Sequence, residues 1–144
     1  MNLLNIAYSP AVQVSPDQTV KVAVASAMPG ECDAMAVTEL GRIRGILTSR
    51  DVMLKVVLKR RDPQTTMVRE IMTTPVLTLH PDGEPEEALQ LMLEQHFRHL
   101  PLSDDGKTVC GMLSLRKLLS YIVEDQRDNL IHMEAFLNAD GPGG

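Results

Sequence analysis

The chain has 144 residues, enough for one compact domain or two small interlocked ones, and too few for two independent domains of ordinary size. Apolar residues make up 44% and charged residues 23%, the composition of an ordinary globular protein. With Tyr 2, Phe 2 and Trp 0 against Met 9, the core must be aliphatic. A net charge of −5 argues against nucleic-acid binding, which is driven by neutralising phosphates with Lys and Arg, but it leaves room for a small local phosphate site.

The first residues, Met1 to Ile6, carry no basic flank and no long apolar stretch, so no signal peptide is expected. No apolar run approaches the ~18 residues of a membrane span. A cytoplasmic protein without membrane or nucleic-acid partners is the expectation. Cys32 and Cys110 lie in no CxxC and have no histidine at ligand spacing. They are expected to be buried free thiols, with no metal site.

In chain order, Val12 and Val14 alternate as a half-buried strand should, and a first helix follows around Ala23-Val24. Ala34 to Val37 and Arg42 to Leu47 flank a Gly41-bearing turn, which predicts a hairpin. A helix from Arg50 to about Lys59 turns Val52, Val56 and Val57 inward. The basic run Lys59-Arg60-Arg61 suits its C-terminus, where cations are favoured. Arg61 to Thr66 is polar and broken by Pro63, a linker. Leu77 and Leu79 then alternate as a second opening strand. Pro85 fits the first position of a helix, Glu86-Glu87 suit its positive end, and Ala88, Leu89, Met92 and Leu93 form its apolar face. A last helix runs from about Arg116 to Asp125. The tail after Asp128 holds an apolar cluster (Leu130, Ile131, Met133, Phe136, Leu137) and ends in a disordered Gly141 to Gly144.

The two halves repeat. Shifted by 65 residues, Pro10 falls on Pro75, Val14 on Leu79, Pro16-Asp17 on Pro81-Asp82, Ala23-Val24 on Ala88-Leu89 and Met28 on Leu93. One extra residue then enters at a turn, where insertions are tolerated, and Gly45, Leu47, Thr48 and Arg50 meet Gly111, Leu113, Ser114 and Arg116.

Thr48 and Asp51 stand where a strand hands over to a helix. Backbone N–H groups and the helix dipole favour an anion there, an ionised Asp can accept two ribose hydroxyls, and Arg50 can grip a phosphate. The same Thr-x-x-Asp spacing is also a helix capping box. The spacing alone leaves both readings open.

Val68 to Val76, Phe97 to Leu102 and the Gly-h-x-Thr-x-x-Asp run Gly45 to Asp51 resemble, in that order, the opening segment, second strand and ligand motif of the CBS-domain family. The resemblance spans about residues 3 to 126. It implies an α+β fold of two tandem β-α-β-β-α repeats, 3–62 and 67–126, packed about a pseudo-twofold axis with two clefts between them, followed by a tail, 127–144. It further implies a regulatory module without catalytic residues that binds an adenosine-type nucleotide, with no other cofactor.

Carried over residue by residue, the resemblance gathers Thr48, Arg50 and Asp51 of the first repeat with Thr73, Thr74, Pro75, Phe97, Arg98, His99 and Leu100 of the second. His99 is a candidate to stack on or bond a purine. The second cleft departs from the pattern because Lys117 replaces the acid and cannot accept a hydrogen bond. Ser114, Arg116 and Lys117 would face Tyr8, Ser9, Pro10, Asp33 and Ala34 in a weak site at best. A homodimer, buried in part through the tail cluster, and an unidentified effector protein are the expected partners. The alternative is a ligand-free dimerising scaffold.

Overall fold

A computed structural model describes residues 2–27 and 33–139. Met28, Cys32 and Gly141 to Gly144 lie outside them. The first repeat contains β1 (Gln13–Val14), α1 (Val20–Ala27), β2 (Ala34–Glu39), β3 (Arg42–Thr48) and α2 (Ser49–Val52), which continues through a π-wound stretch, Met53–Val57. A short α3 (Val68–Ile71) leads into the second repeat, with α4 (Pro85–Gln95), β4 (His99–Leu102), β5 (Gly111–Ser114) and α5 (Leu115–Ala139).

In the first sheet, β1 pairs parallel with β2, and β2 pairs antiparallel with β3 through a turn at Leu40-Gly41. The expected hairpin is there, with Gly41 at φ +78°, a conformation that suits glycine. The second sheet holds only β4 and β5. The strand expected over Leu77 and Leu79 does not form. Leu79 makes a single parallel bridge to Leu102, and Leu77 is 41% exposed beside the inter-repeat cleft. Leu79 is the counterpart of Val14, so the pairing survives while the ladder does not.

Pro85 opens α4 and Glu86-Glu87 fill its first turn, as the dipole favours. Ala88 and Met92 are buried, while Leu93 is 59% exposed and lines the cleft, contrary to its expected core role. Val56 is buried, but Val57 is 69% exposed, against expectation. Both cannot point inward, because adjacent helical residues diverge by about 100°.

The two cores are built crosswise. Val68 and Ile71, which open the second repeat, are buried among Val14, Val20, Val37, Leu47 and Val56 of the first. Leu3, which opens the first repeat, is buried with Leu79, Met92, Leu100, Leu113 and Leu118 of the second. The crossing is sealed by backbone pairs of the same kind on both sides. Tyr8 and Met112 exchange N–H···O bonds of 2.9 Å each, and Thr73 and Ile46 exchange bonds of 2.8 and 3.1 Å.

Each opening segment therefore lies on the last strand of the other repeat, and each passes over a glycine. A Cβ on Gly45 would come within 2.9 Å of Met72 Sδ and 3.0 Å of the Thr73 carbonyl oxygen. One on Gly111 would come within 2.7 Å of Leu4 Cδ2 and 3.3 Å of the Tyr8 carbonyl oxygen. Between the sheets, Ala11, Ala34, Ala36, Val109 and Met112 form a third, small-residue cluster that allows close packing. The pseudo-twofold arrangement is thus written in the register as well as in the sequence.

The largest departure is the tail. Residues 127–139 continue α5, so the helix is 25 residues long. Its apolar residues Leu130, Ile131, Met133, Phe136 and Leu137 are between 56% and 68% exposed. A helix prolonged past the body has no core to turn toward. Cys110 is a half-buried free thiol whose pKa is raised chiefly by burial. No helix among the described residues is long and apolar enough to cross a membrane.

Candidate functional site

A cleft of about 930 Å3 opens between the repeats, within the range usual for small-molecule sites. Its polar lining includes Asp33, Thr48, Ser49, Arg50, Asp51, Lys55, Thr73, Arg98 and His99. Its apolar lining includes Val76, Leu77, Met92, Leu93 and Phe97. Three cations (Arg50, Lys55, Arg98) outnumber two carboxylates (Asp33, Asp51) on its wall, in a chain whose net charge is −5. The cleft is locally positive on an acidic protein.

Asp51 lines the cleft and is only 7% exposed. Thr48, extended at φ −118°, caps α2: its hydroxyl accepts from the Asp51 N–H at 3.3 Å. Asp51 Oδ2 accepts in return from the Thr48 N–H at 3.0 Å and its hydroxyl at 3.2 Å. The capping box is therefore real. Yet the other carboxylate oxygen reaches across the cleft, where Oδ1 accepts from Thr73 Oγ1 at 2.8 Å and lies 3.0 Å from Lys55 Nζ. Asp51 thus caps its own helix and tethers the opening segment of the other repeat. Lys55 also donates to the Ile71 carbonyl oxygen at 2.9 Å.

Of the residues expected to surround Asp51, the structure brings Thr48, Arg50, Thr73, Pro75, Phe97, Arg98 and His99 to this cleft. Two are elsewhere. Leu100 is fully buried in the second core, because alternation along β4 points it opposite to His99. Thr74 is exposed to solvent and does not line the cleft. His99 is half-buried, and its Nε2 lies 3.0 Å from Asp33 Oδ1. Burial lowers its pKa below the ordinary histidine value, with Asp33 opposing the shift and Arg98 adding to it.

Asp33, which the sequence suggests for the second cleft, lines this one. The register that pairs Ala34 with Thr48 sets Asp33 beside Ser49, whose N–H and hydroxyl both bond to it, at 3.0 and 2.9 Å. Ala34, also suggested for the second cleft, is buried in the small-residue cluster. Sequence reasoning missed Lys55 and Ser49. Lys55 was within reach of a simple signal, its i,i+4 position after Asp51 on one helix face.

The corresponding positions of the second repeat are wired differently. The Lys117 N–H donates to Ser114 Oγ at 3.1 Å, so the hydroxyl cap survives. The Lys117 ammonium lies 3.8 Å from the centroid of the Tyr8 ring, a cation–π contact where the first cleft has the Asp51–Thr73 hydrogen bond. Arg116 and Pro10 are exposed, and the Ser9 hydroxyl bonds to the Cys110 carbonyl oxygen at 3.2 Å.

Fold and site together define a two-repeat module in which the strand-to-helix junction of one repeat and the opening segment of the other line a shared cleft. The CBS domain family model matches residues 5–58 and 68–124, so the chain belongs to the CBS-domain family. It is 34% identical over 106 residues to the protein MK0525 of Methanopyrus kandleri, covering 73% of this chain and 54% of that one. The chain thus spans about half the length of that relative. A solved CBS-domain protein from Burkholderia ambifaria is 33% identical, with a TM-score of 0.75, over 82% of this chain and 86% of that one. The CBS pair of the protein MJ0100, solved with 5′-methylthioadenosine and S-adenosylmethionine, has a TM-score of 0.77 at 19% identity over 87% of this chain and 98% of that one; that likeness is one of fold alone.

Proposed function

We propose that this chain is a regulatory sensor that binds an adenosine-type nucleotide in the Asp51 cleft and contributes no catalytic groups of its own. The observation that carries the reading is that one inter-repeat cleft is lined both by cations around a buried carboxylate, Asp51, and by apolar side chains that include Phe97 and Leu77. A purine suits the apolar wall, a ribose diol suits Asp51, and phosphate suits Arg50 and Arg98. The two adenosine compounds in complex with the MJ0100 pair support the ligand class.

A ligand bridging Asp51 and the opposite wall would favour one packing of the repeats over another, and only its differential affinity can move that equilibrium. Thermal melting against AMP, ADP, ATP, NAD and S-adenosylmethionine tests the reading. A ligand at 100 times its dissociation constant adds ~2.7 kcal/mol of stability and raises the melting temperature by several degrees. No shift with any of them would overturn it.

A second reading, a homodimer that serves as a scaffold, rests on the exposed face of α5. Leu119, Val123, Leu130, Met133 and Leu137 are all exposed, and their spacing of four, seven, three and four residues is that of a coiled-coil seam. The two readings are compatible. Sedimentation equilibrium checks the second, which a monomer at micromolar concentration would end.

A further inference from the structure

The Asp51 carboxylate has no acceptor position to spare. A carboxylate offers about four lone-pair sites, and four donors already occupy them: the Thr48 N–H and hydroxyl on Oδ2, and Thr73 Oγ1 and Lys55 Nζ on Oδ1. A ribose hydroxyl can therefore reach Asp51 only by displacing one of these. The two from Thr48 form the helix cap, and the Thr73 bond joins the repeats beside a sealed backbone pair. Lys55 differs. Its side chain is 40% exposed, long and flexible, and its ammonium has a second acceptor in the Ile71 carbonyl oxygen.

We propose that Lys55 is the specificity-determining residue of this cleft: a ligand enters by taking the place of Lys55 on Asp51, and the freed ammonium is re-paired only by a ligand that carries phosphate. The inference rests on the adenosine reading above and narrows its ligand class to phosphorylated adenosines. A neutral nucleoside, or its thioether relative, would leave the ammonium without an anionic partner in a partly buried position, a loss that a phosphate oxygen makes good. Arg50 has no such role. It lines the same cleft but makes no ion pair among the described residues, so it can attract phosphate without giving up a carboxylate.

Titration calorimetry of the wild-type chain and of Lys55→Met, Lys55→Arg and Arg50→Ala with AMP and with adenosine tests the exchange. Wild type should prefer AMP by at least about tenfold, the scale of one charge-assisted hydrogen bond. In Lys55→Met that preference should collapse from both sides, with AMP weaker and adenosine tighter, because the acceptor on Asp51 is now open. Lys55→Arg should keep the preference, and Arg50→Ala should weaken AMP without strengthening adenosine. Melting curves of each variant without ligand confirm that it is folded. If both ligands bind but Lys55→Met leaves their ratio unchanged, the Lys55 role is overturned and the adenosine reading stands. If neither binds the wild type, the Lys55 exchange is overturned, and the melting screen with the other adenosine compounds decides the adenosine reading.

Discussion

The two strand-to-helix junctions, Thr48 to Asp51 and Ser114 to Lys117, share one backbone plan, yet they differ in what crosses between the repeats. In the first, an acid on a helix N-terminus accepts a hydrogen bond from Thr73, and a lysine one turn on adds its charge. In the second, the position of the acid holds Lys117, that of the threonine holds Tyr8, and the link between them is a cation–π contact. Both arrangements join the repeats. Only the first keeps a carboxylate, which can accept hydroxyls, whereas an ammonium over a ring presents only donors. The duplication has a contact between the repeats at both positions and a carboxylate at one.

The backbone crossings give the largest expected contrast. Gly45→Ala should destabilise the fold by about 1–3 kcal/mol, because its Cβ meets the Thr73 carbonyl in a hydrogen-bonded pair that cannot move freely. Gly111→Ala should cost less, since its nearest obstacle is the flexible end of Leu4. Urea denaturation of both variants measures the difference, and equal losses would mean that the two crossings are equally rigid.

At the sites themselves, Asp51→Ala should weaken AMP binding by at least about tenfold, or 1.4 kcal/mol. It should also lower stability by roughly 1–2 kcal/mol through the lost cap. Stability that falls with affinity unchanged would reduce Asp51 to a helix cap. Calorimetry of the wild type should find one ligand per chain, and two equal, salt-insensitive sites would show that the lysine of the second cleft is no obstacle. Lys117→Met should cost only about 0.5–1 kcal/mol of stability, the scale of a cation–π contact, and leave AMP affinity where it was.

The smallest effect is in pH. Because burial lowers the pKa of His99, the unfolded chain binds its proton first. Stability from this residue is present above the ordinary histidine pKa and is lost as pH falls through and below it. Asp33 limits the loss. Melting temperatures of wild type and His99→Gln between pH 7 and pH 5 should converge at the acid end. A wild type that gains on His99→Gln as pH falls would show that Asp33 outweighs burial.

Most of the site can be read from residues 45–51 and 73–75 together with 97–99, because a motif at a strand-to-helix junction fixes local geometry wherever it occurs. Asp33 cannot be placed this way, because its cleft depends on the β2–β3 register, which sets it beside Ser49. Leu100 escapes for another reason: membership of a motif says nothing about which face of a strand is buried.

The sequence by itself determined the duplication, the α+β repeat, the capping box and the loss of the acid in the second copy, since each of these is a matter of residue type at short spacing. Tertiary structure alone decided that each core is completed by the other repeat, that α5 runs on to Ala139, and that Asp51 is already saturated by Thr48, Thr73 and Lys55. Those outcomes depend on which segments, distant along the chain, come into contact once the apolar surfaces of Leu3, Val68 and Ile71 have found somewhere to be buried.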